Sequence, residues 1–407
     1  MSDLRTTVSA LAGRHAPVLK RAVPASLRPR AYAAFYRALP ISGRAAVFAR
    51  RSRSAARYCE TNGSPLYAHL MRLVADDVEA GGPCATVVRR YVANSGVPAA
   101  ANTRALMAAV HRIVLEHDDT PLHAYYPSVG GTVDLAKVGP AFLAVVAEHA
   151  DRIQYLMERP VQTNEVTRSR ALVGGFLLAA ERTGLPLRIL EMGASGGLNL
   201  RWDQYRYEVG DASWGDLDSP VTLVGGFSEG VPPFHLDAEV VERRGCDLEP
   251  LDAASRDGQL TLLSQVWPDQ TGRAEILRGA FDVATRVPAP IDQSDALSWV
   301  RAQLATPRPG VCTVVFDTGL KEYLPAEVAQ GIEDTIAAAG RLATAEAPVA
   351  RLHVVPRYGA DGVDGELELQ TWPGGQCQTL ARHADPYARS VEWVAQSPAP
   401  RQPASAG

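Results

Sequence analysis

The chain has 407 residues, 46% of them hydrophobic, and a formal net charge of −4. That is enough apolar material for two domains, or one large domain with an appendage, and it excludes wholesale disorder. No run approaches the ~18 consecutive apolar residues that a membrane span requires, no apolar leader opens the chain, and the five cysteines (Cys59, Cys84, Cys246, Cys312 and Cys377) are scattered without a CxxC pair. A zinc ribbon and a disulfide framework are therefore disfavoured, and the expected setting is a reducing cytoplasm without a membrane partner.

The charge is uneven. Residues 1–57 carry twelve Arg and Lys against one acid, Asp3, about +11, which leaves about −15 for the remainder. The basic residues are spread rather than clustered and no aromatic platform accompanies them, so the expectation for 1–56 is a basic helical arm, not a nucleic-acid interface.

From residue 57 to 160 the periodicity is helical. "SPLYAHLMRLVADDVEA" offers Ser64 as N-cap and Pro65 as first helical residue, with Leu66, His69, Leu70 and Leu73 at helical spacing. "NTRALMAAVHRIVLEH" and "VGPAFLAVVAEHADRIQYLMER" repeat the pattern around a turn-rich loop, "HAYYPSVGG", that contains Tyr125 and Tyr126. His111, His117 and His123 fall at six-residue steps, which do not share a helical face, so no metal site is expected.

"EVTRSRALVGGFLLAAERTG" predicts a helix stopping at Gly184 and Pro186. Gln162, Thr163, Asn164 and Glu165 lead into it, with Thr163 or Asn164 as the expected cap, or with Gln162, Asn164, Glu165 and Arg168 facing a ligand. Beyond it, short apolar runs alternate with helical segments: "PLRILEMG", "AEVVERRGCDLEPLD", a helix across "TLLSQVWPDQTGRAEILRGAF", "PIDQSDALSWVRAQL", "VCTVVFDTG" and "PAEVAQGIEDTIAAAG". Such alternation predicts a parallel sheet with helices on both faces. A closing run of strands ("RLATAEAP", "RLHVVPRYG", "GELELQTWPGG", "CQTLARHADPYARSVEWV") predicts an antiparallel edge, and residues 396–407 a disordered tail.

The stretch "LRILEMGASGGLNLRWDQY" carries the chemistry. Gly193, Ser195 and Gly197 fit a nucleophile elbow, with Asp317 and His353 or His383 completing a triad. They also fit a cofactor loop between a strand ending at Glu191 and a following helix. Everything upstream is helical, so Ser195 follows the first strand of the sheet and no oxyanion loop precedes it; this favours the cofactor loop. An acid at the strand end suits a cationic ligand bearing an amine and a sulfonium, which describes S-adenosylmethionine. Asp247 ends the second strand, where ribose hydroxyls are met; Asp295 follows the third, near an adenine amino group; Asp317 ends the fourth. Asn199, after the glycines, completes the expected cofactor set.

These residues, with "SPLYAHL", "HAYYPSVGG", "RPVQTNEVTRSRAL", "WGDLDSPV", "VWPDQ" and "GLKEYLPAE", resemble the bacterial domain-of-unknown-function 2332 family over about residues 57–395. The resemblance implies an α/β fold: a Rossmann-like S-adenosylmethionine-binding sheet at 161–395, resembling class I methyltransferases, under an N-terminal all-helical cap at 57–160. Asp317-Thr318 departs from the family pattern, where many relatives have His before a small residue. The expected function is methyl transfer to a small-molecule O, N or C nucleophile. Asp317 or Glu165 would act as base and Tyr323 would orient the nucleophile. Gln162, Arg168, Tyr125 and Tyr126 would contact substrate, beneath an aromatic lid of Trp202, Tyr205 and Tyr207 in a hairpin insertion. Left open are non-methyl use of the cofactor (aminocarboxypropyl transfer or cyclisation), a non-catalytic binding module, serine hydrolysis by Ser195, and the oligomeric state, a homodimer included.

Overall fold

The computed structural model describes residues 36, 38–94, 103–359, 362–382 and 388–396. Most of the basic arm, the tail beyond 396 and His383 lie outside the described residues. No described helix is long and apolar enough to cross a membrane. The chain is α/β, with a helical N-terminal region and a mostly parallel central sheet. It divides into two compact units: one comprises the residues up to Val161 together with Leu263–Ala274, the other Gln162–Leu262 with the residues from Glu275 onward.

In the helical unit, α1 (Ile41–Thr61), α2 (Pro65–Ala80), α3 (Pro83–Asn94), α4 (Thr103–Glu116), α5 (Val138–Glu148) and α6 (Ala150–Met157) enclose one apolar core. Ser64 caps α2 as expected, accepting from the Tyr67 amide at 3.2 Å, and Pro65 occupies the first turn, where its missing N–H costs nothing. The segment 263–274 belongs here for a visible reason. Asp269 accepts from Ser64 Oγ at 2.5 Å and from the Leu66 amide at 3.0 Å, so it satisfies donors that the α2 terminus leaves open. Trp267 packs edge-on to Tyr58 and tilted against Tyr67. The single helix predicted across 261–281 is accordingly two, α8 (Arg256–Ser264) and α9 (Thr271–Arg286), interrupted around Pro268.

In the sheet unit, α7 (Ser169–Thr183) ends at Gly184 in the left-handed region (φ 67). Its paired glycines are packing sites: a Cβ on Gly174 would stand 2.3 Å from the Trp393 ring and one on Gly175 2.4 Å from Leu352. The strands are β1 (Leu187–Met192), β2 (Arg206–Val209), β3 (Ala212–Trp214), β4 (Thr222–Val224), β5 (Phe227–Glu229), β6 (Val240–Asp247), β7 (Ile291–Gln293), β8 (Cys312–Asp317), β9 (Val349–Gly359), β10 (Gly362–Trp372), β11 (Gln376–Arg382) and β12 (Val391–Trp393). Two further helices are α10 (Ala296–Leu304) and α11 (Ala326–Leu342).

The large sheet runs β5-β12-β11-β10-β9-β8-β1-β6-β7. From β7 to β9 every pairing is parallel, and β1 and β8 are buried along their whole lengths, as apolar strands covered on both faces must be. The order of these five strands reverses between β1 and β8. In an open α/β sheet this is the switch point outside which ligands bind, at the carboxyl ends of the strands. The antiparallel part departs from expectation twice. "RLATAEAP" is a helix end and loop rather than a strand, and β5 pairs with β12, so the closing strands do not form the outer edge.

A further departure lies after the glycine loop. Instead of an α-helix there is a six-residue 3₁₀ segment, Asn199–Gln204, interrupted by non-helical dihedrals at Arg201. No helix N-terminus therefore faces a phosphate here, and the loop is held by side chains. The expected hairpin does form: β2 and β3 pair Tyr207 with Trp214 and Val209 with Ala212 around Gly210 and Asp211, and β4 joins β2 in parallel.

Candidate functional site

Three residues of the loop after β1 have positive φ: Gly193 (69), Ser195 (52) and Gly197 (66). Glycine adopts this region freely, but at Ser195 it costs about 1–2 kcal/mol. Such strain persists only where the surroundings impose it, and here they do. The Ser195 amide donates to Asp247 Oδ2 at 2.9 Å and its carbonyl accepts from the Leu251 amide at 3.1 Å. Ala194 N–H reaches Cys246 O at 2.9 Å, and the Leu198 amide donates to Asn164 Oδ1 at 2.9 Å. Arg201, buried beneath, donates through Nη1 to Gly197 O at 2.8 Å and Gly196 O at 3.3 Å.

Asp247 is therefore a fastener of the loop. Its Oδ1 also accepts from the Glu249 amide at 3.0 Å and from Gln162 Nε2 at 3.4 Å. Gln162 donates as well to Glu249 O at 3.0 Å. Gln162, Asn164, Gly193, Ser195, Gly197, Asn199 and Asp247 are thus brought together at the ends of β1 and β6, within one unit.

Glu191 stands at the centre of this group. It is 1% exposed, and neither carboxyl oxygen has a hydrogen-bond partner among the described residues. Asn199 lies beside it, with Oδ1 accepting from Ser169 Oγ at 2.9 Å; its Nδ2 favours the charged form of Glu191 but closes no bond of good geometry among the described residues, and neither does the buried Ser195 Oγ. Burial drives the Glu191 carboxyl well above the ordinary carboxylate range. Arg168 and Asn199 oppose this, and the charges of Asp317 and Asp247 reinforce it. Arg168 is directed elsewhere: its Nη1 donates to Thr318 O at 3.0 Å and Thr318 Oγ1 at 3.2 Å.

Several expected roles are corrected by what the side chains touch. Asp317 is 2% exposed and fully engaged, pairing with Arg351 Nη2 at 2.6 Å and accepting from the Gly319 and Leu320 amides at 3.1 Å each. Burial acts to raise its carboxyl, but Arg351, His353 and the Gly319 amide outweigh it and leave it below the ordinary value. A carboxylate so held is a weak base. Glu165, not Thr163 or Asn164, caps the chain's entry to α7: it accepts from the Thr167 amide at 3.4 Å and Thr167 Oγ1 at 2.8 Å. Asp295 is exposed and caps α10, accepting from the Ser298 amide at 2.9 Å.

Trp202, Tyr205 and Tyr207 are interior residues rather than a lid. Trp202 stacks on Phe176 at 4.6 Å and on Trp214 at 5.3 Å. The Tyr205 hydroxyl donates to Leu198 O at 2.6 Å and that of Tyr207 to Trp202 O at 2.8 Å. Tyr323 is 76% exposed. Tyr125 and Tyr126 belong to the helical unit, Tyr126 fully buried and edge-on to His111. His111 in turn bonds Ser128 Oγ at 2.8 Å.

Sequence reasoning missed Arg351, Arg201 and Ser169. Arg351 had a signal: it is a cation near the start of a largely apolar strand, and a buried cation needs an acid.

No curated protein and no solved structure matches the chain. A family pattern does, over residues 49–393, extending upstream of the motifs quoted above. The chain thus belongs to the family described as an uncharacterized protein conserved in bacteria (DUF2332).

Proposed function

We propose that the sheet unit binds S-adenosylmethionine at the carboxyl ends of β1 and β6, and that the chain is a methyltransferase-like enzyme acting on an O, N or C nucleophile of a small molecule. The observation that carries this reading is Glu191, a buried acid with both oxygens unpartnered at the switch point of the sheet. A buried carboxylate without a partner is costly, and a cationic ligand is the group that would relieve it. The strand order β7-β6-β1-β8-β9 supports a Rossmann-like sheet of the methyltransferase kind.

The residues fit such a ligand. Glu191 would accept its ammonium, and Asn199 Nδ2 and Ser195 Oγ would donate to its carboxylate. Asp247, half-buried and with acceptor capacity left on Oδ2, would meet a ribose hydroxyl. Gly193 and Gly197 hold the loop in the shape that brings these groups together. When bound, the cofactor supplies an alkyl carbon already activated by its sulfonium. The protein's own contribution is then orientation and exclusion of water, and no base need be drawn from Asp317.

Adenosylhomocysteine should raise the unfolding temperature, by the equivalent of about 2.7 kcal/mol at a hundredfold excess over Kd. Absence of any shift with it or with S-adenosylmethionine would overturn the reading. Mass spectrometry of products separates methyl transfer, which leaves adenosylhomocysteine, from aminocarboxypropyl transfer or cyclisation, which releases methylthioadenosine. A hydrolase would need a histidine on Ser195 Oγ, and none of the described residues bonds it. Labelling of Ser195 by a fluorophosphonate would revive that alternative.

A further inference from the structure

We infer that Glu191 holds a proton until a cationic nitrogen of the ligand reaches it, and gives that proton up to solvent when the ligand takes its place. The cation half of this exchange rests on the proposed ligand, whereas the resting state of Glu191 does not.

The geometry carries the inference. Glu191 pairs across β1 with Phe316 on one side and Gly245 on the other, neither of which offers a polar side chain. The charged and titratable groups around it come from every neighbouring element: Arg168 from the turn before α7, Arg201 and Tyr205 from the segment after the loop, Asp247 from β6 and Asp317 from β8. Each cation among them is committed elsewhere. Arg168 donates to Thr318, and Arg201 donates to the loop carbonyls and, through Nε, to Val287 O at 2.8 Å. Tyr205 donates its proton to Leu198 O. The two remaining groups are acids. An ionised Glu191 would be a third negative charge, buried and favoured only by Arg168 and Asn199, whose influence burial outweighs, whereas a carboxylic acid avoids that cost. Burial, the largest influence on this group, acts in the same direction.

The exchange conserves charge. One ammonium enters, the O–H bond of the Glu191 carboxyl breaks heterolytically, and the proton leaves to buffer. The site therefore selects ligands that carry a protonated amine, such as an α-amino acid head group, over nucleosides without one. Below the point at which Glu191 ionises, affinity should tighten by about tenfold per pH unit.

Three measurements test this. In the protein alone, a raised carboxyl lends full stability below the unfolded carboxylate range, and loses it as pH climbs toward the folded value. The unfolding temperature of Glu191→Gln should thus exceed that of the wild type by a margin that widens from about pH 5 to about pH 8. A margin that stays constant would overturn the inference. Should Glu191→Gln fail to fold, difference infrared spectroscopy of the wild type decides, since only a protonated carboxyl shows the acid C=O stretch and loses it on addition of adenosylhomocysteine. Calorimetry of the wild type with adenosylhomocysteine, in buffers of different ionisation enthalpy, should show about one proton released per nucleoside bound. Binding without release would overturn the exchange. Failure of both adenosylhomocysteine and S-adenosylmethionine to bind would defeat the cofactor proposal alone, because the pH-dependent margin still reports whether Glu191 is protonated.

Discussion

Two acids end adjacent parallel strands, Glu191 on β1 and Asp317 on β8, and both are almost completely buried. Asp317 is saturated by a guanidinium and two amides. Glu191 closes no hydrogen bond of good geometry among the described residues, and only Asn199 and Arg168 beside it favour its charged form. Their carboxyls move in opposite directions for that reason, Asp317 below and Glu191 above the ordinary range. Burial and position in the sheet are shared, so neither explains the opposite behaviour of the two acids. The distinction lies in which donors the fold has already assigned.

The sharpest way to break the contrast is to remove the donor. Arg351→Met strands Asp317 as an unpaired buried charge and should cost about 3–5 kcal/mol in denaturant unfolding. A loss under about 1 kcal/mol would mean that the amides alone suffice. Glu191→Gln should act on binding rather than folding: the folded protein keeps or gains stability at neutral pH, while affinity for adenosylhomocysteine falls at least about tenfold, as for a lost charge-assisted hydrogen bond. Unchanged affinity would return Glu191 to a structural role.

The pH dependence should separate the two acids further. Because the Asp317 carboxyl is depressed in the fold, its contribution is present above the unfolded carboxylate range and is lost as pH falls through the folded value. Acid unfolding should therefore be steeper in wild type than in Asp317→Asn. The smallest effect expected is at Ser195, where Ser195→Gly relieves a positive φ and should be neutral or stabilising by up to about 1 kcal/mol. A clear destabilisation would show that the hydroxyl is held by a partner.

Local features were legible in the sequence, and long-range partners were not. The end of α7 at Gly184 and the cap of α2 at Ser64 follow from residues within one turn, and both appear where expected. The Tyr207–Trp214 pairing likewise spans a single hairpin. The missing helix after Gly197 shows where such reasoning stops. The segment "LNLRWDQ" has helical composition, but Arg201 leaves helical dihedrals and turns its guanidinium back onto the loop carbonyls. In the same way, an acid at a strand end can be read from sequence, but whether it is spent cannot. Asp317 meets an arginine 34 positions away, and Asp247 a glutamine 85 positions away. Three acids at strand ends thus divide into a loop fastener, Asp247, a salt-bridged anchor, Asp317, and Glu191, which closes no hydrogen bond of good geometry among the described residues.

The segment 263–274 has a consequence for how the chain matures. The helical unit needs Asp269 to finish the start of α2 and Trp267 to complete its core, yet both are encoded after β1 and β6. During synthesis the N-terminal helices emerge first but wait for more than a hundred further residues before their last pieces arrive. A fragment cut at the apparent boundary near residue 161 would lack those pieces permanently, and the two units are thereby interlocked in biosynthetic order.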